Sequence, residues 1–138
     1  MKKLLVMLFV FAVLGLTFTA NAVVWKTANQ VTIAWDANPF NVEGGAIPAD
    51  QIKYVVYIYN AITDPNHENA VEMEPIAETQ QLITLGVEGK YLFGVKAVRI
   101  VDGENVGEST IVWSNVPPAD FGAQFFLPPA APTGFNLP

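Results

Sequence analysis

From Val31 onward, apolar and polar positions alternate with the period of two expected of a half-buried β-strand. Val31, Ile33 and Trp35 share one face of the first such run. Ile52 to Tyr59 is dense in β-branched and aromatic residues, which suit a pleated surface. Ile52, Tyr54, Val56 and Ile58 make one face of it, and Lys53, Val55, Tyr57 and Tyr59 the other. Gln81 to Leu85 predicts a short strand. Tyr91 to Val101 predicts a longer one with Tyr91, Phe93, Val95 and Ala97 on one face, and Ser109 to Ser114 predicts the last. A helical period is hard to find. The separators are turn chemistry: Asp36-Ala37-Asn38-Pro39, Glu43-Gly44-Gly45, Asp64-Pro65-Asn66, Glu88-Gly89, and Asp102-Gly103 as a hairpin loop. Short strands punctuated this way point to an all-β sandwich or barrel of about seven strands, not a βαβ fold.

The same residues carry a resemblance. Val31-Thr32-Ile33-Ala34-Trp35-Asp36 resembles the second strand of a fibronectin type III domain, whose Trp anchors the core. Ile52-x-Tyr54-x-Val56-Tyr57 resembles its third strand. Leu85 followed by Glu88-Gly89-Lys90-Tyr91 is similar to the family's corner, where a Tyr bonds back to the backbone. Tyr91-x-Phe93-x-Val95-x-Ala97-Val98 follows its sixth strand. The resemblance covers Val31 to Asn115 and implies an immunoglobulin-like β-sandwich with Trp35 and Tyr91 in the core. The chain departs from the family in two places. The stretch before Val31 lacks a proline-led first strand, and the loop from Ile62 to Thr79 is long and acidic.

The N-terminus alters the picture of where such a domain works. Lys2 and Lys3, an apolar run from Leu4 to Phe18, and Ala20-Asn21-Ala22 form the pattern of a secretory signal, with cleavage expected after Ala22. At about 15 residues the run is short for a membrane span, which needs about 20. The expected domains are the signal peptide 1–22, the sandwich 23–115 and a proline-rich tail 116–138. The expected location is extracellular or at the cell surface, with no membrane span after cleavage. With no Cys in the chain, the core alone must hold the fold. Without Lys2 and Lys3, five cations face thirteen anions, a net charge of −8. Nucleic acid binding needs a cationic footprint, so it is not expected.

Catalytic chemistry is poorly supplied. His67 is the only His, in a polar loop, and the only serines are Ser109 and Ser114, in or near the last strand. A nucleophile needs a base beside it and a third group to orient that base. Glu68, Glu72, Glu74 and Glu78 recur through one segment, and Asp102 and Glu104 flank Gly103. Clustered acids suit calcium, but the ordered ligand loop is missing, so these acids read as a solvated face. No enzyme, catalytic residue or cofactor is expected.

The aromatic and apolar positions are more informative. Val55, Tyr57, Tyr59, Leu92 and Val98 fall on the outer face of the sheet built from the third and sixth strands, where a contiguous apolar patch marks an interface. The tail folding back, or a one-residue slip of register, would instead place this face inside the molecule. In the tail, Ala131 to Leu137 resembles the first strand of a further domain. Pro132, Phe135 and Leu137 are its candidate contacts for docking on an open sheet edge of another copy. Two other arrangements compete: the tail packs on its own domain, or Val23 to Thr27 serves as the first strand. The expected role is a secreted interaction or structural module whose partner is protein, itself included, as an oligomer or fibre. A carbohydrate- or ligand-binding accessory domain is the alternative.

Overall fold

The computed structural model describes residues 22–134. The leader pattern up to Asn21 and the tail residues Phe135 to Pro138 lie outside them. Among the described residues there are nine strands: β1 Val24–Thr27, β2 Gln30–Ala34, β3 Ile52–Asn60, β4 Val71–Glu72, β5 Gln80–Thr84, β6 Gly89–Val101, β7 Glu104–Glu108, β8 Val112–Trp113 and β9 Phe121–Phe125. The described residues contain one 3-10 turn, Ala49–Gln51, and no α-helix. The fold is an all-β sandwich.

The larger sheet runs β1-β9-β6-β3-β4. β3 lies antiparallel along one edge of β6, with Tyr57 opposite Gly94. Along the other edge of β6, β7, β8 and β9 follow in turn. The β6–β7 hairpin turns at Asp102 and Gly103, both at positive φ (54° and 83°), the geometry a tight two-residue hairpin needs. The smaller sheet pairs β2 with β5, with Val31 opposite Ile83. The sheets close over Val31, Ile33, Val56, Ile83, Leu85 and Phe93, all buried. The faces expected for β3 and β6 are those observed, because alternation fixes them once one face is buried.

Two expectations are corrected, and one alternative is met. The sandwich does not end at Asn115: β9 pairs antiparallel with β6 and parallel with β1, so part of the presumed tail is a central strand. Its residue Ala123 is fully buried, and Gly122 leaves room for the Trp25 ring, since a Cβ there would lie 2.6 Å from it. Of the arrangements left open, Val23 to Thr27 as the first strand is met by β1, although it joins the larger sheet instead of β2. The predicted strand Ser109 to Ser114 is mostly not one: only Val112–Trp113 has strand form. Ser109 leaves the ladder form by accepting the Ala97 N–H at its Oγ (2.9 Å) and donating to the Thr110 carbonyl (2.8 Å).

The corner expected at Tyr91 is present. Its hydroxyl donates to the Val87 carbonyl at 2.7 Å, and its ring packs against the inner core. Trp35 also packs against that core and lies 5.5 Å from the Tyr54 ring, but it is half-buried, at the margin.

Candidate interaction surfaces

The outer face of β3 and β6 is sealed within the molecule. Val55, Tyr57, Tyr59, Leu92 and Val98 lie on one face as expected, yet their exposure is only 2–8%. An exposed patch at these five residues is therefore corrected. The register is right; the cover was missed. Trp113 lies over Gly94, where an added Cβ would meet its ring at 2.6 Å and Ile111 at 2.7 Å. Its ring stands edge-on to Tyr59 (5.3 Å, 87°) and to Tyr57 (6.3 Å, 60°). From the other side, His67 in the loop after β3 lies 4.5 Å from Trp113 and 5.5 Å from Tyr59. His67 is held at φ 50°, in a turn where the Asp64 carboxylate accepts the N–H groups of Glu68 and Asn69. The sequence signal for this cover is Gly94 itself: a Gly inside an otherwise β-branched and aromatic strand marks a close approach.

The rim of this face is charged. The Tyr57 hydroxyl donates to Glu72 (2.7 Å), and the Lys96 ammonium pairs with Glu108 (2.9 Å) while lying 5.4 Å from the Tyr57 ring centre. Burial pushes the Tyr57 and Tyr59 phenols above their ordinary range. Tyr57 and Glu108 hold the Lys96 ammonium above its own, and Lys96 lowers the Glu108 carboxyl.

The residues that chemistry would need are not brought together. The Ser114 hydroxyl accepts the Phe93 N–H (3.0 Å) in a buried site, and Ser109 is used on the backbone. His67 packs on aromatic rings. Among the described residues, no three His, Asp or Glu side chains form a group that could hold a metal ion.

Open surface is found elsewhere. The backbone N–H of Trp35 donates to the Thr79 carbonyl (3.0 Å) and that of Leu85 to the Asn29 carbonyl (2.7 Å), so the bonded pairs fall at odd-numbered positions along β2. Bonding direction alternates along an antiparallel pair. The backbone groups of Gln30, Thr32 and Ala34 thus point away from β5, and no described strand pairs with them. Their side chains are exposed and uncharged. Sheet edges are usually guarded by charge, proline or a bulge; β1 carries Lys26, and β7 carries Glu104 and Glu108 opposite a register shift in β6. At the Ala34 end of β2 opens a cavity of about 130 Å³ lined by Ile33, Trp35, Phe93, Val95, Trp113 and Phe121. The Trp35 indole nitrogen is buried with no hydrogen-bond partner among the described residues. A second groove, about 290 Å³, lies between the loop after β2 and the β6–β7 hairpin, with exposed Phe40, Val42 and Val106 on its walls and Arg99 within it. Of the tail candidates, Pro132 is exposed; Phe135 and Leu137 lie outside the described residues.

Among the described residues no helix is long and apolar enough to cross a membrane. The chain matches no protein-family model and no curated protein sequence.

Proposed function

We propose that the chain is an exported, non-catalytic structural module of the fibronectin type III kind that works by binding protein, a second copy of itself included, outside the cell or at its surface. The observation that carries this reading is the edge of β2: three outward pairs of backbone groups with uncharged side chains and an apolar cavity alongside. The leader pattern supports export. The Tyr91 corner, and the order of β2, β3, β5 and β6 across two sheets, support the family likeness.

The test is to express the chain with its leader, recover exported material, and measure its N-terminus and its mass in solution. The reading expects Val23 as the first residue and species larger than a monomer that grow with concentration. Retention of Met1, or a monomer at every concentration, counts against it. The groove between the loop after β2 and the β6–β7 hairpin favours a second reading, a ligand-binding accessory domain using exposed Phe40 as a stacking surface. Retention on insoluble polysaccharide that is lost in Phe40→Ala would support that alternative.

A further inference from the structure

We infer that the groove between the loop after β2 and the β6–β7 hairpin takes the free C-terminal residue of a partner chain, with its carboxylate on Arg99 and its apolar side chain against Phe40, Val42 and Val106. The inference rests on the protein binding proposed above and names a contact separate from the β2 edge. Arg99 is the only arginine in the chain. It lines the groove half-buried, and its Nε–H donates to the Gln51 side-chain oxygen at 3.0 Å. That partner is neutral. Among the described residues the one ion pair is Lys96–Glu108, so Arg99 has no carboxylate beside it, although the chain holds thirteen acids to seven bases. A charge drawn partly out of water is best held by an opposite one. With Nε on Gln51, the two Nη groups remain, and their fork matches a carboxylate by two parallel N–H···O bonds.

The other polar side chains of the groove have mainly donors to spare. The Asn38 side-chain oxygen accepts the Phe40 N–H, and that of Asn41 accepts the Glu43 and Gly45 N–H groups. Both carboxamides thereby keep their NH2 groups. The Ser109 hydroxyl is engaged in both directions, by Ala97 and Thr110. The Glu108 carboxylate is taken by Lys96 and Asn105. Unspent donors around a guanidinium suit an acceptor-only group, which an ionised carboxylate is.

The walls select the rest of the ligand. Phe40, Val42 and Val106 are large apolar residues held in solvent around one groove, and such a cluster marks an interface. Phe40 and Val42 stand on a built loop: Phe40 bridges Ala46, the Asn41 N–H donates to the Gly45 carbonyl at 2.8 Å, and Gly44 turns the chain at φ 85°. A preformed loop loses little freedom on binding. At about 290 Å³ the groove is at the small end of ligand cavities, with room for one side chain and its carboxylate. A chain terminus supplies both from a single residue, and the exposed walls let the remainder of the partner run out to solvent. An acidic polysaccharide is the poorer fit, since a polyanion is repelled by a domain of net charge −8.

The exported protein is titrated with three acetylated tripeptides while its backbone amide NMR signals are followed. One ends in phenylalanine as the free acid, one in phenylalanine amide, and one in glycine as the free acid. The free phenylalanine acid should bind saturably, move the signals of Arg99, Val106 and Gly107, and bind about tenfold or more tightly than either of the others. Arg99→Gln should lose about that factor for the free acid and leave the amide unchanged. Phe40→Ala, at an exposed position, should weaken the free acid without lowering the melting temperature. If Arg99→Gln does not fold, the comparison of acid with amide on wild-type protein decides the matter. Equal binding of acid and amide, binding of neither, or full affinity in folded Arg99→Gln would overturn the inference. So would a uronic-acid oligosaccharide that moves the same signals at lower concentration, which would make the groove a carbohydrate site. If the protein assembles but binds no peptide, only this site fails; if it is monomeric at every concentration yet binds the free acid, the self-association fails and the site stands.

Discussion

Gly94→Ala tests the sealed outer face with a single methyl group. The new Cβ would sit 2.6 and 2.7 Å from two Trp113 ring carbons and 2.7 Å from the Ile111 methyl. Ordinary carbon contacts are about 3.5–4.0 Å, so the indole must retreat by roughly 1 Å. That movement loosens its edge contacts with Tyr57 and Tyr59 and its packing on His67. Overpacking of this kind costs about 1–3 kcal/mol, and each aromatic pair disturbed holds about 0.5–1.5 kcal/mol beyond area. Ala regains about 0.5–1 kcal/mol over Gly through the backbone. The net expectation is a loss of about 1–3 kcal/mol, or a melting temperature lower by about 4–12 °C for a domain of this size. Thermal unfolding followed by near-ultraviolet circular dichroism reads both the stability and the aromatic packing. In a Trp113→Ala background the same methyl should cost no more than about 0.5 kcal/mol, since the contact partner is gone. A Gly94→Ala protein that melts at or above wild type, with unchanged aromatic signals, would refute the argument.

The remaining expectations use the same measurements. Trp35→Ala should cost about 2–4 kcal/mol, below the value for a fully enclosed Trp because the ring is half-buried; a denaturation midpoint equal to wild type would contradict its place against the core. Tyr91→Phe removes the 2.7 Å bond to the Val87 carbonyl and should cost about 1 kcal/mol with little change in shape; no loss would show that the corner contributes nothing. Tyr57, Tyr59 and Lys96 all hold protons more tightly folded than unfolded. Their contribution is therefore complete below about pH 10 and is lost as the pH rises through the folded values. Urea unfolding at about pH 9 and about pH 11 should show lower stability at the higher pH, and equal or greater stability there would reverse the sign.

What the sequence made legible was local. Alternation assigned the inner and outer faces of β3 and β6, and Asp102-Gly103 marked its hairpin, because both depend on neighbours a few residues away. The cover over Tyr57 and Tyr59 was not legible, since its main part comes from Trp113, far along the chain from both. Gly94 was its only trace. β9 was hidden because Phe121 to Leu127 lies between prolines inside what read as a proline-rich tail, and its worth as a strand depends on the edge of β6 that it completes. The open edge of β2 was foreshadowed by the missing proline-led first strand. Its boundary could be drawn only once β1 was seen to pair with β9. The residues that matter there, Gln30, Thr32 and Ala34, have unremarkable side chains; their backbone carries the chemistry.

Backbone amide hydrogen exchange across β2, read residue by residue in dilute and in assembled protein, tests the central claim most directly. In the dilute monomer the Val31 and Ile33 amides, bonded to β5, should exchange slowly, while Thr32 and Ala34 exchange fast. In assembled protein this alternation should vanish, with Thr32 and Ala34 slowed at least tenfold. Amides of Thr32 and Ala34 that stay fast in assembled protein, or that are already slow in the dilute monomer, would contradict the account.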